Sequence, residues 1–369
     1  MRPLTFSLRH LSQEWWLGGV KVASLGIIEN CCVENLQHFP IVRFGFVLKV
    51  KPLMKILTIK AVCVFGLLHS TAFAGSIVTE KESTPAGGGF GQARRPISNP
   101  TLFDLALPTT NLHSIFLHHV LPDQISAGGA SVPFGGDVQL YALQFEYALS
   151  DRLSIVATKD GYVDMNFDNP AFTDSTGFAN LGGGIKYAFL LDPISQTAMS
   201  SSLTLEFPTG NSDVLQGEGK GLANMIVSGL KLIDQWQFAG GAGLQVPFSD
   251  EQTTMGWMSA HVSYEVHKWF IPMAEINWFR VIDEGDGRGN FGDQLAGGIP
   301  GAVQFEGGDL FNLGATNASD NPDFVSAAFG FRSRLTDAVT AGFAYEIPLT
   351  DKDNSLMEQR ITADLTWTF

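Results

Sequence analysis

Charged side chains make up only 16% of this 369-residue chain, and those that could do chemistry recur at a strand-like spacing. Glu146, Asp160, Lys186, Glu206, Lys231, His261, Glu265, Glu275, Arg332, Arg334, Glu346, Arg360 and Asp364 lie in runs where polar and apolar residues take turns. A period of two places such charges on one face of a strand and the apolar residues on the other. Facing a water-filled path, rows of acids and bases would orient a passing solute. Facing one another in a narrow interior, they would pair and stiffen the wall, because buried charge is normally paired. For any single residue the pairing reading carries more weight. Arg332 and Arg334, with Glu346 and Glu275 on neighbouring segments, form the leading candidate network.

Other chemistries have thinner support. His261 and Ser263 share a face two residues apart, but a nucleophile and base also need a third, orienting group. No catalytic residue is assigned, and an enzyme is not expected. The acids Asp286, Asp293, Glu306 and Asp309 lack the spacing of a calcium loop. Gly217-Glu218-Gly219-Lys220-Gly221 lacks that of a phosphate loop. All three cysteines (Cys31, Cys32, Cys63) precede residue 75. No metal and no cofactor is expected.

The elements that must position these charges are strands. Twelve segments read as such: 112–121, 137–149, 153–167, 178–190, 197–208, 222–233, 236–248, 254–266, 269–282, 324–335, 339–349 and 359–369. Tyr141, Leu143, Phe145, Tyr147 and Leu149 oppose Ala142, Gln144 and Glu146. Ile361, Ala363, Leu365, Trp367 and Phe369 oppose Arg360, Thr362, Asp364, Thr366 and Thr368. Connections mostly alternate between short turns and longer loops, and aromatic residues gather near the turn ends. Both features belong to transmembrane barrels. Three segments resist simple facing. Lys159 falls on the face of Ile155 and Val163, so either a bulge shifts the register near Gly161 or the lysine sits at a rim. Lys231 is placed inward because a lipid-facing lysine is costly, and Arg280 faces outward.

Ahead of the strands, Met54 to Lys60 is a basic stretch, Ala61 to Leu68 an apolar one, and Ala72-Phe73-Ala74 a cleavage site. Together they make a secretory signal peptide. Residues 1–53 read as an over-extended start, 54–74 as the signal, 75–111 as a periplasmic N-terminal arm and 112–369 as the barrel. The net charge of −14 does not suit a nucleic-acid partner. A soluble β-sandwich shows the same alternation, but not the aromatic ends or the two lengths of connection.

The segment Leu205-Glu206-Phe207-Pro208-Thr209-Gly210-Asn211, together with the twelve-strand layout, resembles outer-membrane proteins grouped as MetA-pathway phenol-degradation transporters. The terminal Trp367 and Phe369 resemble the closing strand of bacterial outer-membrane barrels, whose last aromatic is read by the insertion machinery. The expectation is therefore an all-β, antiparallel up-and-down transmembrane barrel of about twelve strands after a signal peptide. Its place would be the outer membrane of a Gram-negative bacterium, among lipid. The resemblance implies passive passage of small solutes, aromatic or hydrophobic among them. A plugged structural barrel and a barrel-wall lipid hydrolase are the alternatives, although the His-x-Ser-Asn-Gly signature of outer-membrane phospholipases does not follow His118-His119 or His261. The Gly-rich loop 283–323 is the expected site of a constriction.

Overall fold

The computed structural model describes residues 89–289, 291 and 298–369, with the short paired strands Glu14–Leu17 and Val20–Ala23 as a separate piece. The signal stretch, with Ala72 and Ala74, lies outside the described residues, as does most of 1–53.

Twelve antiparallel strands close into a barrel. They are β1 (Asn111–Val120), β2 (Gly136–Ser150), β3 (Leu153–Lys159 continuing as Tyr162–Phe167), β4 (Ser175–Phe178 continuing as Leu181–Asp192), β5 (Thr197–Phe207) and β6 (Leu222–Ile233). The second half comprises β7 (Trp236–Pro247), β8 (Thr254–Tyr264), β9 (Ile271–Asp283), β10 (Asp323–Arg334), β11 (Val339–Pro348) and β12 (Gln359–Thr368). Each strand pairs with its neighbours in sequence, and β12 closes onto β1 from Gln359↔Val120 to Thr368↔Asn111. Closure leaves no strand edge open, which is the condition for a sheet in lipid. The closing role expected of the C-terminal strand is the one observed.

Alternation decides which residues face lipid. Along β2, Tyr141, Leu143, Phe145 and Tyr147 point outward and Ala142, Gln144 and Glu146 inward. The apolar outer row recurs on β5, β8 and β11 through Leu203, Met258 and Phe343. A continuous belt of this kind is far larger than the apolar patches of water-soluble proteins. Its natural solvent is a bilayer.

β3 is broken at Asp160–Gly161. There β2 changes partner, from Leu153–Lys159 to Tyr162–Phe167. Gly161 has φ +132, and a Cβ on it would stand 3.0 Å from the Tyr141 carbonyl oxygen. The expected irregularity is real, and it lets the Lys159 ammonium turn inward to Glu206 at 2.6 Å.

Inside, the barrel is not empty. Within the stretch read as a periplasmic arm, the described residues from 89 onward run up into the lumen. Phe90, Arg94, Ile97, Leu102, Phe103 and Leu107 are all buried there. This segment has neither strand nor helix periodicity because its backbone bonds to side chains of the wall. Ile97 N–H and Ser98 N–H donate to the Glu275 carboxylate at 3.0 and 2.7 Å. The described residues of the loop between β9 and β10 fold over the outer mouth and bury Val303, Phe305, Phe311 and Leu313 against Leu117, Leu121 and Phe134. A hairpin of the first outer loop (Gln124–Ala127 with Ala130–Pro133) joins this cover, Gly128 N–H donating to the Ala302 carbonyl at 2.7 Å. An apolar core thus sits at one end of the barrel, above a polar midsection.

Candidate functional site

Three groups of buried charge hold the arm and the outer loop to the wall. Nearest the outer mouth, the Arg360 guanidinium meets Asp309 of the outer loop at 2.8 and 3.0 Å. Its Nε donates to Glu346 at 2.8 Å, and its remaining nitrogen donates to the Ser98 carbonyl of the arm. Arg360 is 1% exposed, so it ties wall, loop and arm together in a buried site. The planar fork of arginine is what allows three partners at once.

At mid-height, Arg332 makes a forked contact with Asp364 at 3.0 and 2.5 Å, and its Nε donates to the Arg95 carbonyl at 2.6 Å. The partners sit on β10 and β12, with Gly342 of β11 between them in register. A Cβ at Gly342 would lie 2.5 Å from the Asp364 carboxylate. The missing side chain is the opening through which the two charges meet. Asp364 also meets His113 at 3.0 Å. On the opposite wall Lys186 reaches Glu146 at 3.0 Å and the arm's Asp104, which in turn pairs with Arg95.

Toward the turn end, Arg334 and Arg94 share Glu265, with the Arg334 fork at 3.1 Å and Arg94 at 3.3 Å. Arg94 also donates its Nε to Ser263 at 2.9 Å, and Ser263 meets His261, which meets Glu275.

Glu146, Lys186, Glu206, His261, Glu265, Glu275, Arg332, Arg334, Glu346, Arg360 and Asp364 all turn inward as the alternation implies. Two other residues are placed differently. Lys231 belongs to the outward row of β6, with Met225 and Val227. Its ammonium curls to Thr197 Oγ1 at 3.0 Å and the Ser195 carbonyl at the adjacent turn. A lysine at a strand end reaches the interface with its long stem, so the cost that argued for an inward position does not arise. The inward row of β6 beside it is instead apolar, Leu230 and Leu232 packing on Phe90, Leu105 and Leu107 of the arm, while Asn224 and Ser228 face inward farther along the strand. Asp160 stands in the wall break, where it accepts the Leu143 N–H at 3.0 Å that the change of partner leaves free. The expected grouping of Arg332 and Arg334 with Glu346 and Glu275 is also replaced, since Arg332 pairs with Asp364, Arg334 with Glu265, Glu346 with Arg360, and Glu275 with His261. Arg280 does face outward, and it forms an exposed pair with Asp323 at 2.7 Å.

The residues that strand reasoning misses are those of the arm (Arg94, Arg95, Ser98, Asp104) and Asp309. The one signal for them was a surplus of charged lumen residues without partners on neighbouring strands.

Between arm and outer loop lies a cavity of about 30 Å³ lined by Ile115, Val138, Leu140, Ala142, Leu310 and Phe311, with Gln144, Lys159, Asp160, Gln216 and Asp309 at its margin. It is the apolar exception in a charged interior.

Glu306 lies in the outer loop, outside the membrane-spanning strands. Burial pushes its carboxyl up to about 8, against the opposing effect of N–H donors from Leu313 and Ala315. A raised carboxyl pKa means that the folded loop holds a proton the unfolded chain has lost. Stability of the loop is full below the ordinary value of 4.5 and declines as pH rises toward 8, by about 1.4 kcal/mol per unit at most. Glu306→Gln should remove this slope. The check is proteolysis of the outer loop at pH 6 and pH 9: wild type becomes more susceptible at pH 9, and the Gln variant does not.

Strand number, closure, outward apolar belt and inward charge define the class: the fold is that of an outer-membrane β-barrel. Among solved structures, the chain is similar to the COG4313 outer membrane channel from Pseudomonas putida F1, at 15% identity and a TM-score of 0.51, covering 71% of this chain and 96% of that one. The NanC porin is similar at 7% identity and a TM-score of 0.40, covering 70% of this chain and 100% of that one. No family profile and no curated protein sequence matches the chain.

Proposed function

We propose that this barrel is a channel for passive passage of small solutes of low polarity, closed at rest by its own arm and outer loop. The observation that carries this reading is the apolar chamber between the two closures. At rest the chamber holds only about 30 Å³, so a solute occupies it as the closures move apart; its lining is of the kind that small-molecule sites have, apolar with a few polar groups for orientation. Gln144, Gln216, Lys159, Asp160 and Asp309 are those groups here. The closures are held by apolar packing together with charge-assisted bonds to the wall, and the latter can be exchanged for water when a segment moves. The resemblance to phenol-degradation transporters supports small aromatic solutes as the cargo. The inward charges Glu146, Lys186, Glu206, Arg332, Glu346, Arg360 and Asp364 act in this scheme as fasteners. Trp367 and Phe369 serve assembly, their rings 4.6 Å apart at the end of the closing strand, as the part read by the insertion machinery.

The test fills the chamber. Ala142→Phe, in protein reconstituted into vesicles, should cut uptake of phenol by about tenfold or more, equivalent to about 1.4 kcal/mol. Heat-modifiable gel mobility would show that the barrel is intact. Uptake unchanged in a folded Ala142→Phe barrel rejects the chamber as the route. Absence of any uptake or current in wild type and in variants with a released arm favours a plugged structural barrel instead.

A further inference from the structure

The lumen contains a constellation that solute passage does not use. His261 Nδ1 lies 2.7 Å from Glu275 Oε1, and His261 Nε2 lies 2.9 Å from Ser263 Oγ. All three residues are at most 4% exposed. The sheet register explains the assembly: His261 and Ser263 share the inward face of β8, Glu275 stands directly across from His261 on β9, and Gln237 directly across from Ser263 on β7. Glu275 is the orienting carboxylate that His261 and Ser263 lack when read along the chain.

Proton positions follow from the donors. Arg94 Nε is an obligatory donor, and it points at Ser263 Oγ from 2.9 Å. The serine oxygen is therefore an acceptor toward Arg94, which leaves its own proton for His261 Nε2. The His261 Nδ1–H is then directed to Glu275. Serine to imidazole to carboxylate is the resting order of a nucleophilic triad. The fourth group fits as well. Gln237 Nε2 donates to the backbone carbonyl oxygen of Arg94 at 2.6 Å, so a carbonyl already occupies the place beside the serine where a side-chain amide donor is waiting.

We propose that Ser263, His261, Glu275 and Gln237 form an esterase site, masked by residues 94–98 of the arm and exposed when that segment withdraws. The substrate class is a small acyl ester entering the lumen. Ser263 Oγ attacks the ester carbonyl carbon while its proton passes to His261 Nε2, and the resulting oxyanion accepts from Gln237 Nε2. The carbon–oxygen bond to the alcohol breaks, and the alcohol leaves with the proton from His261. Water, deprotonated by His261, then attacks the acyl-serine and releases the acid and the free serine. Arg94 plays the part of a built-in blocker: its guanidinium covers the nucleophile and its carbonyl fills the donor site.

The test uses the folded full chain in lipid vesicles and diisopropyl fluorophosphate, where Ser263 displaces fluoride from phosphorus and the proton goes to His261. Wild type should label slowly, because Ser263 is covered. Arg94→Ala should take up one phosphoryl group, mapped by peptide mass to Ser263, and cleave p-nitrophenyl butyrate. Adding His261→Ala should slow labelling about 100-fold, the usual contribution of a general base, and adding Ser263→Ala should abolish it. A second opened form, Arg94→Ala with Ser98→Pro, also deletes one of the arm's two N–H donors to Glu275. If both opened forms are folded by heat-modifiable mobility and neither labels, the site is not catalytic. Labelling that maps elsewhere, or that ignores His261→Ala, overturns the proposal equally. A purely structural hydrogen-bond chain would give neither the label nor its dependence on His261.

Discussion

Arg360→Ala is expected to cost the folded barrel about 3–5 kcal/mol, the range for removing one partner of a buried ion group. It is also expected to loosen both closures at once. The guanidinium is 1% exposed and serves Asp309, Glu346 and the Ser98 carbonyl. Its loss leaves two carboxylates in a buried site without their cation, where solvent reaches them only if the outer loop lifts. The size of the effect comes from those stranded acids more than from the lost attraction. Replacing the three charged groups together, as Arg360→Met with Asp309→Leu and Glu346→Leu, should therefore restore most of the stability. The midpoint of urea-induced loss of heat-modifiable mobility measures it. An Arg360→Ala barrel within about 1 kcal/mol of wild type, the scale of a surface pair, would mean that the fork does not hold the loop.

Arg332→Ala should be comparably destabilising, again about 3–5 kcal/mol, with a different consequence. Asp364 keeps only His113 as a partner, and the Arg95 carbonyl loses its donor. The arm is loosened at Arg95, while Asp309 and Arg360 still hold the outer loop. In planar bilayers this variant should show brief, flickering current, and Arg360→Ala longer openings, against a quiet wild type. Arg332→Lys should not rescue, because an ammonium cannot reproduce the forked contact with Asp364. The double variant should cost less than the two singles added, since both arginines fasten the same stretch of arm. Equal current in all three proteins would separate conduction from the latches.

Much of this was legible along the chain. The alternation in β2, β5, β8 and β12 placed their inward and outward residues correctly because one side of each strand meets lipid and the other does not. Facing was misjudged at Lys231, where the inward neighbours are Leu230 and Leu232. They pack on Phe90 and Leu107 of the arm, a partner over a hundred residues away and invisible to any local period. The ion pairs were not legible. Arg332 finds Asp364 two strands away across Gly342, a meeting that depends on register and on the absence of a side chain.

The sequence alone determined that the chain makes strands, about where they begin and end, which face of most is greasy, and that the last closes on the first. These follow from a two-residue period and from the rule that a sheet in lipid can have no open edge. Tertiary structure alone decided what fills the barrel. An arm without periodicity entered the lumen because the wall offers it carboxylates and arginines to bond. The same folding brought Glu275 and Gln237 to either side of a serine and histidine whose spacing along the chain had been unremarkable.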